Sequence, residues 1–289
     1  MLLDIIITSL IHGSTYALLA IGFSLIFGVA RIVNIAHTAF YMVAAYCIYL
    51  VAHKLGLHPV VGMGVGIILV SVLGLVTYKI FIDPIREHEA AVLIATIALA
   101  IALQEVMLLI FTGDYLSVPA LVSGYFSVFG VKIFYQQLLT VVAALLILAV
   151  LRALLMNTRL GLAIRSTAQD REVANLMGMN ESRVAMLTVV ISIALAGFTG
   201  AVIVPLTIVE PFMWLHPLVM MMAVVVLGGL GSIKGSFFAA YILGFAEALV
   251  VFVLPMGAFL KGSVALSIMI LVLLIRPEGL FGIAFEEER

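Results

Sequence analysis

Residues 3–28 read LDIIITSLIHGSTYALLAIGFSLIFG and contain a single charged residue, Asp4. A helix that crosses the hydrocarbon core of a bilayer needs about 20 mainly apolar residues, and this stretch is long enough. The rest of the chain has the same character, because hydrophobic residues make up 65% of its 289 residues and charged residues only 10%. A soluble domain has roughly 25% charged residues. The sequence therefore predicts an all-α polytopic integral membrane protein.

The same length rule divides the chain into about nine transmembrane helices, and it is compatible with eight to ten. The second and the last two candidates are short or interrupted by glycine, which indicates half-helices or tilted spans. Residues 1–289 are expected to form a single transmembrane domain, because no polar stretch is long enough to bury a core of its own. The predicted spans are 3–28, 36–52, 60–82, 90–112, 134–155, 184–204, 216–233, 237–254 and 258–275.

The distribution of Lys and Arg orients these spans. Only Lys54, Lys132 and Lys261 of the 14 basic residues fall on the side of the N-terminus, and the other 11 fall on the opposite side. Cytoplasmic connections of membrane proteins are enriched in Lys and Arg. The sequence therefore predicts an N-terminus outside the membrane and a C-terminus in the cytoplasm.

The longest polar segment covers residues 157–183 and is predicted to be cytoplasmic. Thr167 or Asp170 can cap a short helix that runs to Leu176, and Gly178 can end it. Such a helix is a candidate docking element for a partner protein, and a helix lying in the lipid interface explains the pattern equally well. Its apolar side chains are Ala168, Val173, Ala174, Leu176 and Met177.

Two carboxylates lie inside apolar spans. Glu105 and Glu247 are candidates for a functional site, because charge is costly inside a membrane. A structural role, in which the carboxyl is hydrogen-bonded to a neighbouring helix, is the alternative, and neither residue has a basic partner within its own span. Arg31, Asn34 and His37 recur every three residues after the first span and are predicted to share a helical face that points into the protein.

The sequence does not favour an enzyme. Residues 228–235 read GGLGSIKG, but Lys234 is followed by Gly235 instead of the Ser or Thr of a phosphate-binding loop. A glycine-rich break that lets two helices approach closely fits better. We identify no catalytic set and no His or Cys spacing typical of a metal site, and the net charge of -1 gives no reason to expect a nucleic-acid partner.

Five stretches, taken together and in this order, resemble the permeases of branched-chain amino-acid ABC importers of the LivH/LivM type. The length is closer to that of the shorter LivH-type subunit. The resemblance implies the ABC importer permease fold with broken helices, in a prokaryotic plasma (inner) membrane. The stretches are 13–28, 31–42, 161–178, 228–235 and 276–282.

The resemblance also implies a set of partners. A second permease subunit, LivM-like or a second copy of this chain, would complete the path. Two cytoplasmic ATPase subunits would use ATP, and an extracytoplasmic binding protein would deliver the solute. This chain would then bind no cofactor and perform no chemistry.

Within this resemblance, the loop at 157–183 would carry the coupling helix that docks on an ATPase. Thr38 and Ala39 stand where the family often has a small and an acidic residue, which leaves the solute open among branched-chain amino acids, urea and short amides. The alternative is a self-sufficient secondary transporter or channel, which needs a paired acid–base site in the membrane that the sequence does not reveal. Path candidates are Arg31, Asn34, His37, Glu105 and Glu247, and coupling candidates are Gly161, Arg165, Ala168, Val173, Ala174, Leu176, Met177 and Gly178.

Overall fold

A computed structural model describes residues 2–128 and 130–281 and is mostly helical. Within these residues, six helices are long and apolar enough to cross a membrane, and further apolar helices are shorter. The helices are α1 Leu2–Ala30, α2 His37–Tyr49, α3 Pro59–Thr77, α4 Glu89–Phe111, α5 Tyr135–Asn157, α6 Arg159–Gln169, α7 Arg171–Leu176, α8 Glu181–Ile203, α9 Leu215–Gly228, α10 Ile233–Val253 and α11 Gly257–Ile275. Short π- or 3₁₀-helical turns extend three of them, at Leu50–Lys54, Tyr78–Ile82 with Asp83–Ile85, and Val204–Leu206.

Each predicted span coincides with one helix, which confirms a polytopic membrane protein. The bounds of two spans were wrong. The helix α10 begins at Ile233, four residues before the predicted start, and is a full-length span. It begins there because the Ser232 side chain caps it by accepting a hydrogen bond from Gly235 N at 3.1 Å. The helix α9 ends at Gly228, because Gly229 follows it with φ +97°.

The most deeply buried span is α1, which packs against α8, α9 and α10. It approaches α10 closely where Gly13 faces Gly244. A Cβ atom on Gly244 would lie 2.6 Å from the backbone nitrogen of Gly13, so only glycine fits there. Small residues at a helix crossing let the backbones meet and gain van der Waals contact, which replaces the hydrophobic effect inside a membrane.

The helices α3, α4 and α5 lie at the periphery. Only 28%, 17% and 28% of their most apolar windows are buried inside the chain, although all three are strongly apolar. Exposed apolar surface of this extent is unfavourable in water and favourable against lipid. These faces are therefore the membrane-facing surface of the protein.

The two ends of the bundle differ. One end, called the hairpin end, carries the antiparallel strands β1 Tyr125–Val128 and β2 Val131–Phe134, which the sequence did not predict. There, an antiparallel bridge pairs Leu116 with Val209, so the loops after α4 and α8 are joined. The opposite end carries α6 and α7 and is called the α6–α7 end.

Candidate functional site

A cavity of about 460 Å³ opens at the hairpin end. Residues of α1, α2, α5, α8, α9, α10 and α11 and of the loop between α8 and α9 line it. Apolar side chains form part of its lining, among them Ile203, Leu206 and Phe212. Polar and charged side chains form the rest. The cavity is therefore suited to a small solute with both polar and apolar parts.

Glu247 of α10 lies against this cavity, and its side chain is fully buried. Tyr16 donates a hydrogen bond of 2.5 Å to Oε2, and His216 Nε2 lies 3.2 Å from Oε1. Lys261 Nζ lies 3.8 Å from Oε1. His12 Nδ1 lies 3.3 Å from Oε2. A buried carboxylate is thus surrounded by donors from α1, α9 and α11, and we call these five residues the Glu247 cluster.

The sequence analysis missed this cluster. It found no paired acid–base site in the membrane, because it sought partners within the span of Glu247. The structure brings in Tyr16 from 231 residues away and His216 from 31 residues away. The available signal was the placement of His12 and Lys261 in apolar helices, where an ionisable residue usually has a partner.

Glu105 does not belong to the cavity. Its side chain lies on the exposed face of α4, where Oε1 accepts a hydrogen bond of 3.2 Å from Gln104 on the same helix. Gln104 itself is buried and accepts a hydrogen bond of 2.9 Å from the indole of Trp214. Glu105 therefore points away from the interior of the chain.

The chain is irregular between α1 and α2, at residues 31–36. Arg31 takes φ +53°, and its N–H bonds to Phe27 O at 2.9 Å, which ends α1 with a left-handed residue. Arg31 is exposed, whereas Asn34 and His37 are buried. The prediction that these three residues share a helical face was wrong, because no helix continues through residues 31–36.

The broken segment is held by protein groups, as irregular backbone inside a membrane protein requires. Thr96 of α4 accepts a hydrogen bond of 3.3 Å from Ile35 N. His37 packs so closely on α1 that a Cβ atom at Gly22 would lie 2.9 Å from its ring. Among the described residues, the buried side-chain oxygen of Asn34 has no hydrogen-bond partner.

The predicted coupling helix is divided in two at Asp170. Of the two capping alternatives, the structure has Asp170, whose side chain accepts a hydrogen bond of 3.0 Å from Val173 N at the start of α7. Thr167 is buried within α6. Gly178, with φ +84°, follows the end of α7 as predicted.

The side chains expected to dock divide into exposed and buried ones. Leu176 and Met177 are 86% and 77% exposed, and Val173 is also exposed. Ala174 is only 2% exposed, so it packs inside the chain and is not available to a partner. Of the others, Arg165 and Gly178 are exposed, Ala168 is half-buried, and Gly161 is buried, with no room for a Cβ atom beside the α5 backbone.

The glycine-rich stretch at 228–235 joins α9 to α10 as a close approach of two backbones. A Cβ atom on Gly228 would lie 2.6 Å from Ser236 N, and one on Gly235 would overlap the carbonyl of Gly228. The sequence interpretation of residues 228–235 as a glycine-rich break that lets two helices approach closely agrees with this contact. The chain also returns here after α11, because Leu280 N donates to Leu227 O at 2.8 Å.

Comparisons with known proteins agree with this architecture. A family model described as "Branched-chain amino acid transport system / permease component" matches residues 5–274. The permease protein BraD of Pseudomonas aeruginosa, named for high-affinity branched-chain amino acid transport, is 32% identical over 96% of this chain and 94% of its own length. LivH of Escherichia coli K12, named for the same transport, is 30% identical over 93% of this chain and 92% of its own length.

One solved structure is similar in fold. PsaBC from Streptococcus pneumoniae in complex with Fab superposes with a TM-score of 0.52, and the match covers 94% of this chain and 91% of that chain. The sequence identity is 16%, so the similarity concerns the fold alone.

Proposed function

Because the chain belongs to the family of permease components of branched-chain amino acid transport systems, we propose that it is the membrane-spanning permease subunit of an ATP-driven importer. Its solute is a branched-chain amino acid or a similar small polar molecule such as urea or a short amide. It provides the path, binds no cofactor and performs no chemistry, and ATP is used by partner subunits.

The observation that carries this proposal is the contrast between the two ends of the bundle. The hairpin end has an open cavity lined by both charged and apolar side chains. The α6–α7 end presents Leu176 and Met177 at high exposure, in a segment whose other residues are mostly polar. A solute enters at the first end, and an energy-supplying partner docks at the second.

In this proposal the hairpin end faces outward and the α6–α7 end faces the cytoplasm of a prokaryotic cell. Arg86, Arg159, Arg165 and Arg183 are among the basic residues at the α6–α7 end, in agreement with the enrichment of Lys and Arg in cytoplasmic connections. The partners are a second permease subunit or a second copy of this chain, two ATPase subunits and an extracytoplasmic binding protein.

The docking surface consists of Val173, Leu176 and Met177 on the coupling loop at 157–183. Apolar side chains exposed at the edge of a bundle seat in a groove of a partner or in the lipid interface. Co-purification distinguishes the two cases, because only a surface that seats in a partner groove retains the ATPase. We expect Leu176→Glu to reduce association with the ATPase at least about tenfold, because a charge in a desolvated contact costs several kcal/mol.

The experiment combines co-purification of the ATPase with uptake into proteoliposomes that hold internal ATP. Gln169→Glu is the matched control, because it introduces the same charge at a polar, exposed position of the same loop. The control is expected to retain association and uptake. Full association and uptake by Leu176→Glu would refute docking through this surface and favour a helix that lies on lipid.

A second candidate, a self-sufficient secondary transporter, gains one observation from the Glu247 cluster, since a carboxylate paired with Lys261 and two imidazoles is the kind of site it needs. The same proteoliposomes separate the candidates. The chain alone is expected to accumulate no solute under a proton or sodium gradient. Gradient-driven accumulation without the ATPase would make the second candidate the correct one.

A further inference from the structure

Arg171 connects the proposed coupling loop to the central helix. It is the first residue of α7, and its Nη2 donates a hydrogen bond of 2.7 Å to Val29 O, 142 residues away in the last turn of α1. Its Nη1 lies 3.4 Å from Glu181 Oε1 at the start of α8. One guanidinium therefore touches three elements: α7, which carries the exposed apolar side chains, α1 and α8.

The contact with α1 has a clear physical basis. The last carbonyls of a helix have no partner within the helix, and they carry the negative end of its dipole. A guanidinium supplies both a donor and a positive charge at that position. Because α1 ends at Ala30 and Arg31 takes a left-handed conformation, Val29 O is one of these terminal carbonyls.

The position of this bond along the chain is what gives it a role. Val29 precedes the irregular residues 31–36, and these lead into α2 and the buried His37. Whereas α6 packs on α1 directly, α7 reaches α1 through the side chain of Arg171. A displacement of α7 therefore pulls on the end of α1 at the place where the helix is already broken.

We propose that Arg171 is a positioning residue that transmits movement of the ATPase-docking loop to the end of α1 and the broken segment. This inference rests on the proposed function, because it requires an ATPase at α7. Glu181 holds the guanidinium in place from the other side, and Asn175 Nδ2 in turn donates to Glu181 Oε2 at 3.3 Å. Both terminal nitrogens of the Arg171 guanidinium are thus in contact with acceptors, which fixes the orientation of the side chain.

The test uses Arg171→Gln in the complete transporter, with Arg152→Gln as a matched control that removes the same charge from an exposed position of α5, outside the loop at 157–183. We expect Arg171→Gln to retain ATPase co-purification and ATP hydrolysis within about twofold of the unaltered protein. Uptake per ATP hydrolysed should fall at least about tenfold. The reason is that loss of a hydrogen bond from a charged donor weakens the contact between α7 and α1 by about tenfold or more. Arg152→Gln should leave this ratio unchanged.

A second readout follows the broken segment itself. Val33→Cys, in a background with Cys47 replaced, is labelled with a thiol reagent with and without nucleotide. The labelling rate should change on ATP binding in the protein with Arg171, and this change should disappear with Arg171→Gln. A merely structural role of Arg171 does not predict the loss of a nucleotide response in a protein that still binds its ATPase.

The outcomes distinguish this inference from the proposal beneath it. If the unaltered chain fails to bind an ATPase, the proposed function fails. If Arg171→Gln keeps both the uptake ratio and the nucleotide-dependent labelling, the link is refuted while the proposed function stands. If Arg171→Gln loses ATPase association together with uptake, Arg171 shapes the docking surface and the transmitting role is overturned.

Discussion

Replacing Glu247 by glutamine tests whether the Glu247 cluster is a real electrostatic unit. The substitution keeps the shape of the side chain and removes its charge. It leaves Lys261 without its partner at 3.8 Å and weakens the 2.5 Å hydrogen bond from Tyr16, which is strong because its acceptor is charged. The amide of glutamine also directs an N–H group toward side chains that donate to the carboxylate in the unaltered protein, so donor faces donor.

The size of the effect follows from burial. Breaking a buried ion pair by removing one partner costs about 3–5 kcal/mol when the other charge stays buried. The Lys261 side chain is 38% exposed, so it can regain contact with water, and we expect a loss of about 2–3 kcal/mol of unfolding free energy. For a chain of this size that corresponds to a fall in the thermal midpoint of about 3–5 °C.

The measurement is thermal unfolding in detergent, with Glu105→Gln as the matched control. Glu105 lies on an exposed face and contacts Gln104 of its own helix, so its replacement should change the unfolding free energy by less than about 0.5 kcal/mol. If Glu247→Gln unfolds at the same temperature as the unaltered protein, or Glu105→Gln is destabilised as much, then the proximity of these charges contributes no stability and the reasoning is wrong.

Two further predictions concern topology and packing. Cysteines at Ser123 and Gln169, with Cys47 replaced, should react with an impermeant thiol reagent from opposite sides of the membrane, Ser123 from outside; labelling of both from one side would contradict the proposed orientation. Gly244→Ala should lower the thermal midpoint, because its Cβ atom would lie 2.6 Å from Gly13 N and overpacking costs about 1–3 kcal/mol. Gly64→Ala is the control, since a Cβ atom there has no neighbour within 4 Å and alanine favours the helix, and equal midpoints for the two variants would contradict the close crossing of α1 and α10.

The spans could be predicted from the sequence because the signal is local. Twenty apolar residues are enough to specify a membrane helix, whatever the rest of the chain does. The start of α10 was missed because Lys234 and Gly235 resemble a connection, and only the cap from Ser232 brings them into the helix. The hairpin at 125–134 was missed because its strands have four residues each, too few for a reliable alternating pattern.

The candidate site could be predicted only in part, because its contacts are between distant parts of the chain. Glu247 was identified from its charge alone, but its partners lie on three other helices. The segment at 157–183, the proposed coupling loop, was identified by its polarity, whereas the burial of Ala174 depends on tertiary packing that periodicity does not reveal. The exposed position of Glu105 could not be predicted either, since hydropathy does not distinguish the lipid-facing side of a span from its inner side.

The helix α1 joins the two ends of the bundle that the proposals concern. Tyr16 contributes to the Glu247 cluster at the hairpin end, and Val29 accepts the bond from Arg171 at the α6–α7 end, about 20 Å further along the helix axis at 1.5 Å per residue. Between them, Gly22 is packed against His37 with no free space, so this part of α1 has little room to bend independently of its neighbours.

The helix α1 is continuous from Leu2 to Ala30 and is packed on its neighbours, so a shift of its end is felt along its length. Displacement of Val29 by the loop would then also displace Tyr16, whose hydrogen bond to Glu247 joins α1 to α10 beside the cavity. The peripheral helices α3, α4 and α5 contribute no residue to the Glu247 cluster. For this reason we regard α1, and not the lipid-facing helices, as the element through which a change at the proposed coupling loop would reach the Glu247 cluster.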